Sequence, residues 1–244
     1  MQQVGQVSPD GRWFWDGTRW VPTPPQPQAY APAVEAFESA AGRANLASIF
    51  IGLSIAGIGV LAIANLAIDL EPANPSESQD LTVGLLALVG LVAWIGTYVT
   101  AIVFFCMWLH RVVRNMPALG SPDPRWTPAR AVGYCFVPFL NFVHPLWSVL
   151  DAWRGSDASR RVLYLQDRAV LGTPPLLVSW WVLWLGGLGI SRVSSNMTGP
   201  IAAALDVASG LALMGAAVLL IQIVRRLTAR QDHKQELIAS GALA

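Results

Sequence analysis

The chain is short of charge. Only 13% of its 244 residues are Asp, Glu, Lys or Arg, while 54% are hydrophobic. A soluble domain carries about 25% charged residues, so the deficit points to a membrane protein. The net charge of +1 gives no argument for a nucleic-acid partner. Cysteine is scarce: Cys106 and Cys135 stand alone in apolar segments, which argues against a secreted disulfide framework. Three histidines occur, His110, His144 and His233, and none has a carboxylate at catalytic spacing. G-x-S-x-G, H-E-x-x-H and phosphate-loop motifs are missing, so no residue is assigned a catalytic role and an enzyme is not expected. The N-terminus lacks a basic stretch followed by an apolar core, and the first apolar segment is expected to act as an uncleaved anchor.

What the chain does have is long apolar runs. Four approach the length of about 20 residues that a bilayer requires: residues 44–70, 81–109, 175–190 and 201–224. A fifth, Ala131–Leu150, is interrupted by Pro138, Asn141, His144 and Pro145 and bounded by Arg130 and Asp151. The placement of cations decides its status. If it does not cross, Arg12, Arg19, Arg43, Arg111, Arg114, Arg125, Arg130, Arg154, Arg160, Arg161, Arg168, Arg225, Arg226, Arg230 and Lys234 share one side. Arg192 then stands alone on the other, a 15 to 1 split. If it crosses, the split is 8 to 8. The positive-inside rule therefore favours four spans with both termini cytoplasmic.

The interrupted segment, taken as residues 129–151, is then expected to be re-entrant or interfacial. Pro138 and Pro145 break a straight helix, and Asn141 between them is placed to bond the backbone groups so freed. Beyond it, SDASRRVLYLQDRAVLGTPP reads as a short cytoplasmic helix capped by Ser156 or Asp157. Val162, Leu163, Leu165 and Val170 would face lipid, with Arg160, Arg161 and Arg168 meeting anionic headgroups. A helix packed on the protein is the alternative.

The N-terminal residues 1–22 differ in character. Ser8-Pro9-Asp10-Gly11 is turn chemistry. Asp16-Gly17 is a hairpin turn signal, and a two-residue loop would set Trp15 opposite Thr18 and Trp13 opposite Trp20 as an aromatic pair. A lone hairpin is marginal in water, so its order would depend on a partner or the membrane. Residues 23–43 form a Pro-rich linker and lead-in, 44–230 the membrane domain, and 231–244 a cytoplasmic tail.

Two resemblances follow from these residues. SPDGRWFWDGTRWVP is similar to a short R-[YW]-x-W-D-G-x-x-W motif at the N-terminus of many bacterial membrane proteins. It implies an interaction element of Trp13, Trp15, Asp16, Gly17 and Trp20. WLHRVVRNMPALG (Trp108–Gly120) and WTPARAVGYCFVPFLNFVHPLWSVLDAWRGS (Trp126–Ser156) resemble two signature blocks of a bacterial four-span family classed as a domain of unknown function. That resemblance reaches from Ala44 to Arg230 and implies no reaction. Tyr134-Cys135 and His144 depart from the family pattern.

Other constellations are weaker. Cys106 with His110, and Cys135 with His144, lack the tight spacing of structural zinc sites, so neither metal nor cofactor is expected. Arg111, Arg114, Arg130, Asp151 and Arg154 cluster near the cytoplasmic surface, where membrane anchoring explains them. The sharper reading is a headgroup or ligand pocket of Arg114, Arg130, Pro138, Asn141, Pro145, Asp151 and Arg154. Asp206 lies inside a span with Arg192 as its structural partner. Ala204, Ala208, Ala212 and Ala216, like Gly52 and Ala56, form small-residue stripes suited to close helix contact.

The expected fold is an all-α integral membrane bundle of four transmembrane helices, a broken re-entrant or interfacial segment and a small N-terminal β-hairpin. The expected function is a non-enzymatic binding or scaffold protein of the bacterial inner membrane. Its partners would be the bilayer, anionic lipid headgroups and a cytoplasmic protein met through the hairpin. The alternatives are a small transporter or channel, and a lipid-acting enzyme using His144 or Asp151.

Overall fold

The computed structural model describes residues 8, 13–22, 36–69 and 77–243. Most of the expected Ser8–Gly11 turn, the Pro-rich segment 23–35 and residues 70–76 lie outside the described residues. The chain divides into two units, 1–35 and 36–244.

In the first unit, β1 (Trp13–Trp15) pairs antiparallel with β2 (Trp20–Pro22). The register sets Trp15 opposite Trp20 and Trp13 opposite Pro22, so the expected Trp13–Trp20 pairing is replaced. The cause is Asp16. Its Oδ1 accepts the backbone N–H groups of Thr18 and Arg19, each at 2.8 Å, and Gly17 supplies a φ of 104°. This side-chain turn makes a four-residue loop, Asp16 to Arg19, instead of a two-residue one. Trp15 and Trp20 meet edge to face at 5.6 Å. Hydrogen bonds from the amides of Arg19 and Thr18 hold the Asp16 carboxyl below its ordinary value.

The second unit is built on four helices long and apolar enough to cross a membrane. They are α1 (Ala41–Asp69), α2 (Glu77–Asn115), α6 (Pro175–Ser194) and α7 (Pro200–Ala239). Helix α1 lies along α2, α6 along α7, and α1 against α7. Close approach is set by small residues. A Cβ on Gly57 would come within 2.9 Å of the Trp94 ring, and one on Gly187 within 2.8 Å of Leu213. The Ser209 hydroxyl donates to the Gly187 carbonyl at 2.9 Å. Of the expected alanine stripe, Ala216 is buried, whereas Ala204 and Ala208 are exposed. Arg192 and Asp206 are both exposed, and no ion pair joins them among the described residues.

Helices α2 and α7 have 39 and 40 residues. At 1.5 Å per residue each is ~60 Å long, about twice a bilayer core. The apolar pattern stops at Leu109 and Val224, but the helices do not, because their polar continuations pair with each other. Trp108 Nε1 donates to Thr228 Oγ1 at 2.9 Å, and Gln231 Nε2 donates to the Val112 carbonyl at 3.0 Å. The segment expected as a tail from 231 is therefore helical through Ala239, with Gln231 and Lys234 buried. Fully buried core residues gather at this end, around Trp108, Leu109, Met116, Val149, Leu177 and Leu227. The other half of α2 exposes Leu81, Leu86, Val89 and Val92.

Candidate functional site

Between α2 and α6 the chain forms α3 (Pro128–Gly133), two 3-10 turns (Tyr134–Phe136 and Leu140–Phe142), α4 (His144–Gly155) and α5 (Leu165–Ala169). Thr127 caps α3 by accepting the Arg130 N–H at 3.3 Å. The interrupted segment breaks at Pro138-Phe139, where Phe139 adopts φ 66°, a left-handed conformation uncommon for a bulky residue. Pro145 sits in the first turn of α4, where a missing N–H leaves nothing unsatisfied. It therefore starts a helix and does not break one. Asn141 does not take the expected part. Among the described residues its side-chain oxygen is buried without a partner, while its backbone N–H donates to the Val137 carbonyl at 3.0 Å. The tight turns satisfy the backbone locally. His144 is enclosed by the rings of Trp126 and Tyr134, each 4.9 Å away, and its Nε2 lies 3.0 Å from Ser148 Oγ.

Asp151 faces inward. One carboxylate oxygen accepts Arg168 Nε at 3.1 Å, and the other accepts the Arg125 N–H at 2.9 Å. Arg168 is 1% exposed. It also bonds Asp123 Oδ1 at 3.3 Å, the Leu163 carbonyl at 2.9 Å and the Asp123 carbonyl at 2.6 Å. Arg168 is thus a clamp across three chain segments, not a residue turned toward headgroups. The expected loop helix shrinks to the five residues of α5 because this clamp and a buried Leu163 hold the loop in. Ser156 closes the end of α4 and does not start α5: its hydroxyl donates to the Ala152 carbonyl at 2.6 Å. Gly120, with φ 79°, is required here, since a Cβ would overlap the Arg161 carbonyl oxygen. The Leu163 N–H donates to the Gly120 carbonyl at 2.8 Å.

Beside this clamp lies Lys234, fully buried, with Nζ donating to the Gly155 carbonyl at 3.1 Å. The Ser121 hydroxyl donates to the same carbonyl at 3.0 Å. Burial pushes Lys234 down to about 8, with Asp157 opposing and Arg168 and Arg230 assisting. Arg230 bonds Asp157 at 3.1 Å and lies 4.9 Å over the Trp153 ring. Burial raises the Asp157 carboxyl, but hydrogen bonds from Ser159 and the Arg230 charge outweigh it and hold it below its ordinary value. Arg154 donates to Thr173 Oγ1 at 3.1 Å, and burial lowers its pKa against the pull of Asp151.

A separate open cleft of ≈ 350 Å³ is lined by Arg43, Cys106, Met107, His110, Arg111, Arg114 and Val132. Of the seven candidate pocket residues only Arg114 lines it. Pro138 and Asn141 stand at the break, Pro145 and Asp151 on α4, Arg154 near Thr173, and Arg130 exposed on α3. Glu38 bridges Arg43 at 3.1 Å and Arg111 at 2.6 Å. Asn115 fixes the Glu38 backbone, donating to its carbonyl at 2.8 Å and accepting its N–H at 3.4 Å. The reading of the sequence missed Glu38, Arg43 and Asn115 as a set. The only signal was the spacing of Arg111 and Asn115 within WLHRVVRN, which puts both on neighbouring turns of α2. Among the described residues no three of His, Cys, Asp and Glu converge to hold a metal ion. The Cys135 thiol donates to the Ala131 carbonyl at 3.3 Å.

Four long apolar helices carrying a broken segment and a polar end define a chain suited to a bilayer. Its residues 73–229 match the DUF4328 family, a domain of unknown function, and the chain belongs to that family. The match takes in α2 through most of α7; Glu38, Arg43 and α1 precede it. No curated protein and no solved structure matches the chain.

Proposed function

We propose that this chain is an integral protein of the bacterial inner membrane, with four spans and both termini cytoplasmic, and that it works by binding and not by catalysis. The observation that carries the reading is the outer surface of α2, where only 6% of the apolar window is buried by the rest of the protein. A continuous apolar surface of that size needs lipid to cover it. The 15 to 1 division of cations supports the orientation. The polar network at the ends of α2 and α7 then forms the cytoplasmic head.

The broken segment is read as re-entrant. Phe142 lies 6.4 Å from Trp184 between ring centres, and Trp184 is nine residues into α6. Nine residues correspond to ~14 Å along the helix axis, a depth that suits a re-entrant apex in a bilayer core of about 30 Å. Phe136, Phe139 and Phe142 are exposed there, which suits contact with acyl chains. A binding role is supported by the state of His144 and Asp151: both are buried and committed to internal partners, a poor setting for an acid or base that must reach a substrate. The N-terminal strand pair, with Trp13 and Trp20 exposed, is read as the element that meets a cytoplasmic protein.

Single cysteines introduced at Ser159 and at Asn196 into a chain lacking Cys106 and Cys135 test the topology. An impermeant maleimide should label Asn196→Cys in spheroplasts and Ser159→Cys only after permeabilisation. The reverse pattern, or equal labelling, removes the proposed orientation.

A further inference from the structure

We infer that the cleft between α1, α2 and α3 binds the phosphate of an anionic phospholipid, and that Glu38 is its built-in competitor. This rests on the membrane reading above. The cleft has the two surfaces such a ligand requires. Arg43, Arg111 and Arg114 bring guanidinium groups to its lining, and Cys106, Met107 and Val132 bring apolar surface. Guanidinium forks match phosphate oxygens in bidentate fashion, and the apolar surface suits the glycerol and first methylenes that follow a lipid phosphate. A free phosphate would gain nothing from that surface.

The arrangement of Glu38 shows how the arginines tolerate one another when no lipid is present. Its carboxylate bonds both Arg43 and Arg111. It is held there by its backbone, because Asn115 takes both its N–H and its carbonyl, and Asn115 is itself bonded to Gln231 of α7 at 3.3 Å. The Glu38 backbone is therefore fixed beside the arginines, which keeps its carboxylate within reach of both. The carboxylate is also half exposed, at 55%, so an incoming phosphate can share the guanidinium groups or displace it at small cost. The Arg168 clamp has no such opening, since its guanidinium is 1% exposed and already meets two aspartates.

The test uses the full chain in nanodiscs of equal phosphatidylglycerol and phosphatidylcholine, with native mass spectrometry of the lipids that stay bound. Phosphatidylglycerol should be enriched over phosphatidylcholine. Glu38→Gln should raise that enrichment about fivefold, and Arg43→Gln with Arg114→Gln should lower it by about fivefold per arginine, the effect of ~1 kcal/mol per charge near a membrane surface. The Glu38→Gln gain guards against misreading a misfolded arginine variant, because unfolding does not raise selectivity. Unchanged enrichment in both variants, in protein still embedded in the nanodisc, overturns the cleft and leaves the membrane reading standing. Failure to enter nanodiscs at all sinks the membrane reading instead. If inorganic phosphate binds with the same dependence on Glu38 while phosphatidylglycerol is not enriched, the lipid assignment falls.

Discussion

Two groups of arginines in the helical unit are used in opposite ways. Arg168 is fully buried, and its guanidinium is held by Asp151, Asp123 and two carbonyls. Arg43, Arg111 and Arg114 line an open cleft, and Glu38 serves two of them. Arg168 uses its charge to hold loops together; the cleft arginines gather around one carboxylate that is itself half exposed. The exposure of the partner carboxylate, 55% for Glu38 against 10% for Asp151, separates the two roles where residue type cannot.

The contrast can be broken by mutation. Arg168→Gln should have the largest effect, about 3–5 kcal/mol of stability, because it leaves Asp151 buried without its counter-charge; a much smaller drop in the thermal midpoint would mean the clamp is not structural. Lys234→Met comes next. Its folded pKa, about 8 against an ordinary 10.5, means the unfolded chain binds the extra proton between those values. Wild-type stability should therefore rise as pH rises from about 8 to 10.5, by on the order of 3 kcal/mol. The methionine variant should lose that rise and be more stable than wild type at pH 7, since Gly155 keeps its bond from Ser121. A pH-stability profile unaltered by the substitution would refute this.

Arg230→Gln is intermediate. It removes a half-exposed pair with Asp157 and the contact with Trp153, and should cost about 1 kcal/mol in a denaturant or thermal titration. Arg43→Gln should cost least, under about 1 kcal/mol, because Glu38 is exposed and keeps Arg111. A loss as large as that of Arg168→Gln would erase the distinction between clamp and cleft.

The sequence carried the four apolar helices plainly, since length and composition are local properties. It carried less of their ends. The polar continuations of α2 and α7 become helical through pairings such as Gln231 with Val112, which lie 119 residues apart and leave no local trace. The hairpin register failed for a smaller reason: Asp16-Gly17 looked like a two-residue turn until the Asp16 carboxylate captured two amides downstream. The arginines were hardest. One topological rule accounted for all but Arg192 at once, and so gave no ground for telling Arg168, with its partner Asp123 45 residues away, from Arg111. His144 and Asp151 were picked out by residue type alone, and their burial was not visible in the chain.

Helix α7 has a mechanical consequence. From Ala216 to Ala239 it contains neither glycine nor proline, so it has no hinge between its apolar and polar halves. The 15 residues past Val224 make a lever arm of ~22 Å. Helices adjust their tilt to bilayer thickness, and a change of ~10° at the apolar half would swing the far tip by ~4 Å. The joints at Gln231 and Lys234 lie along that arm, so in the bilayer placement proposed above a change of thickness would reach the polar network through α7.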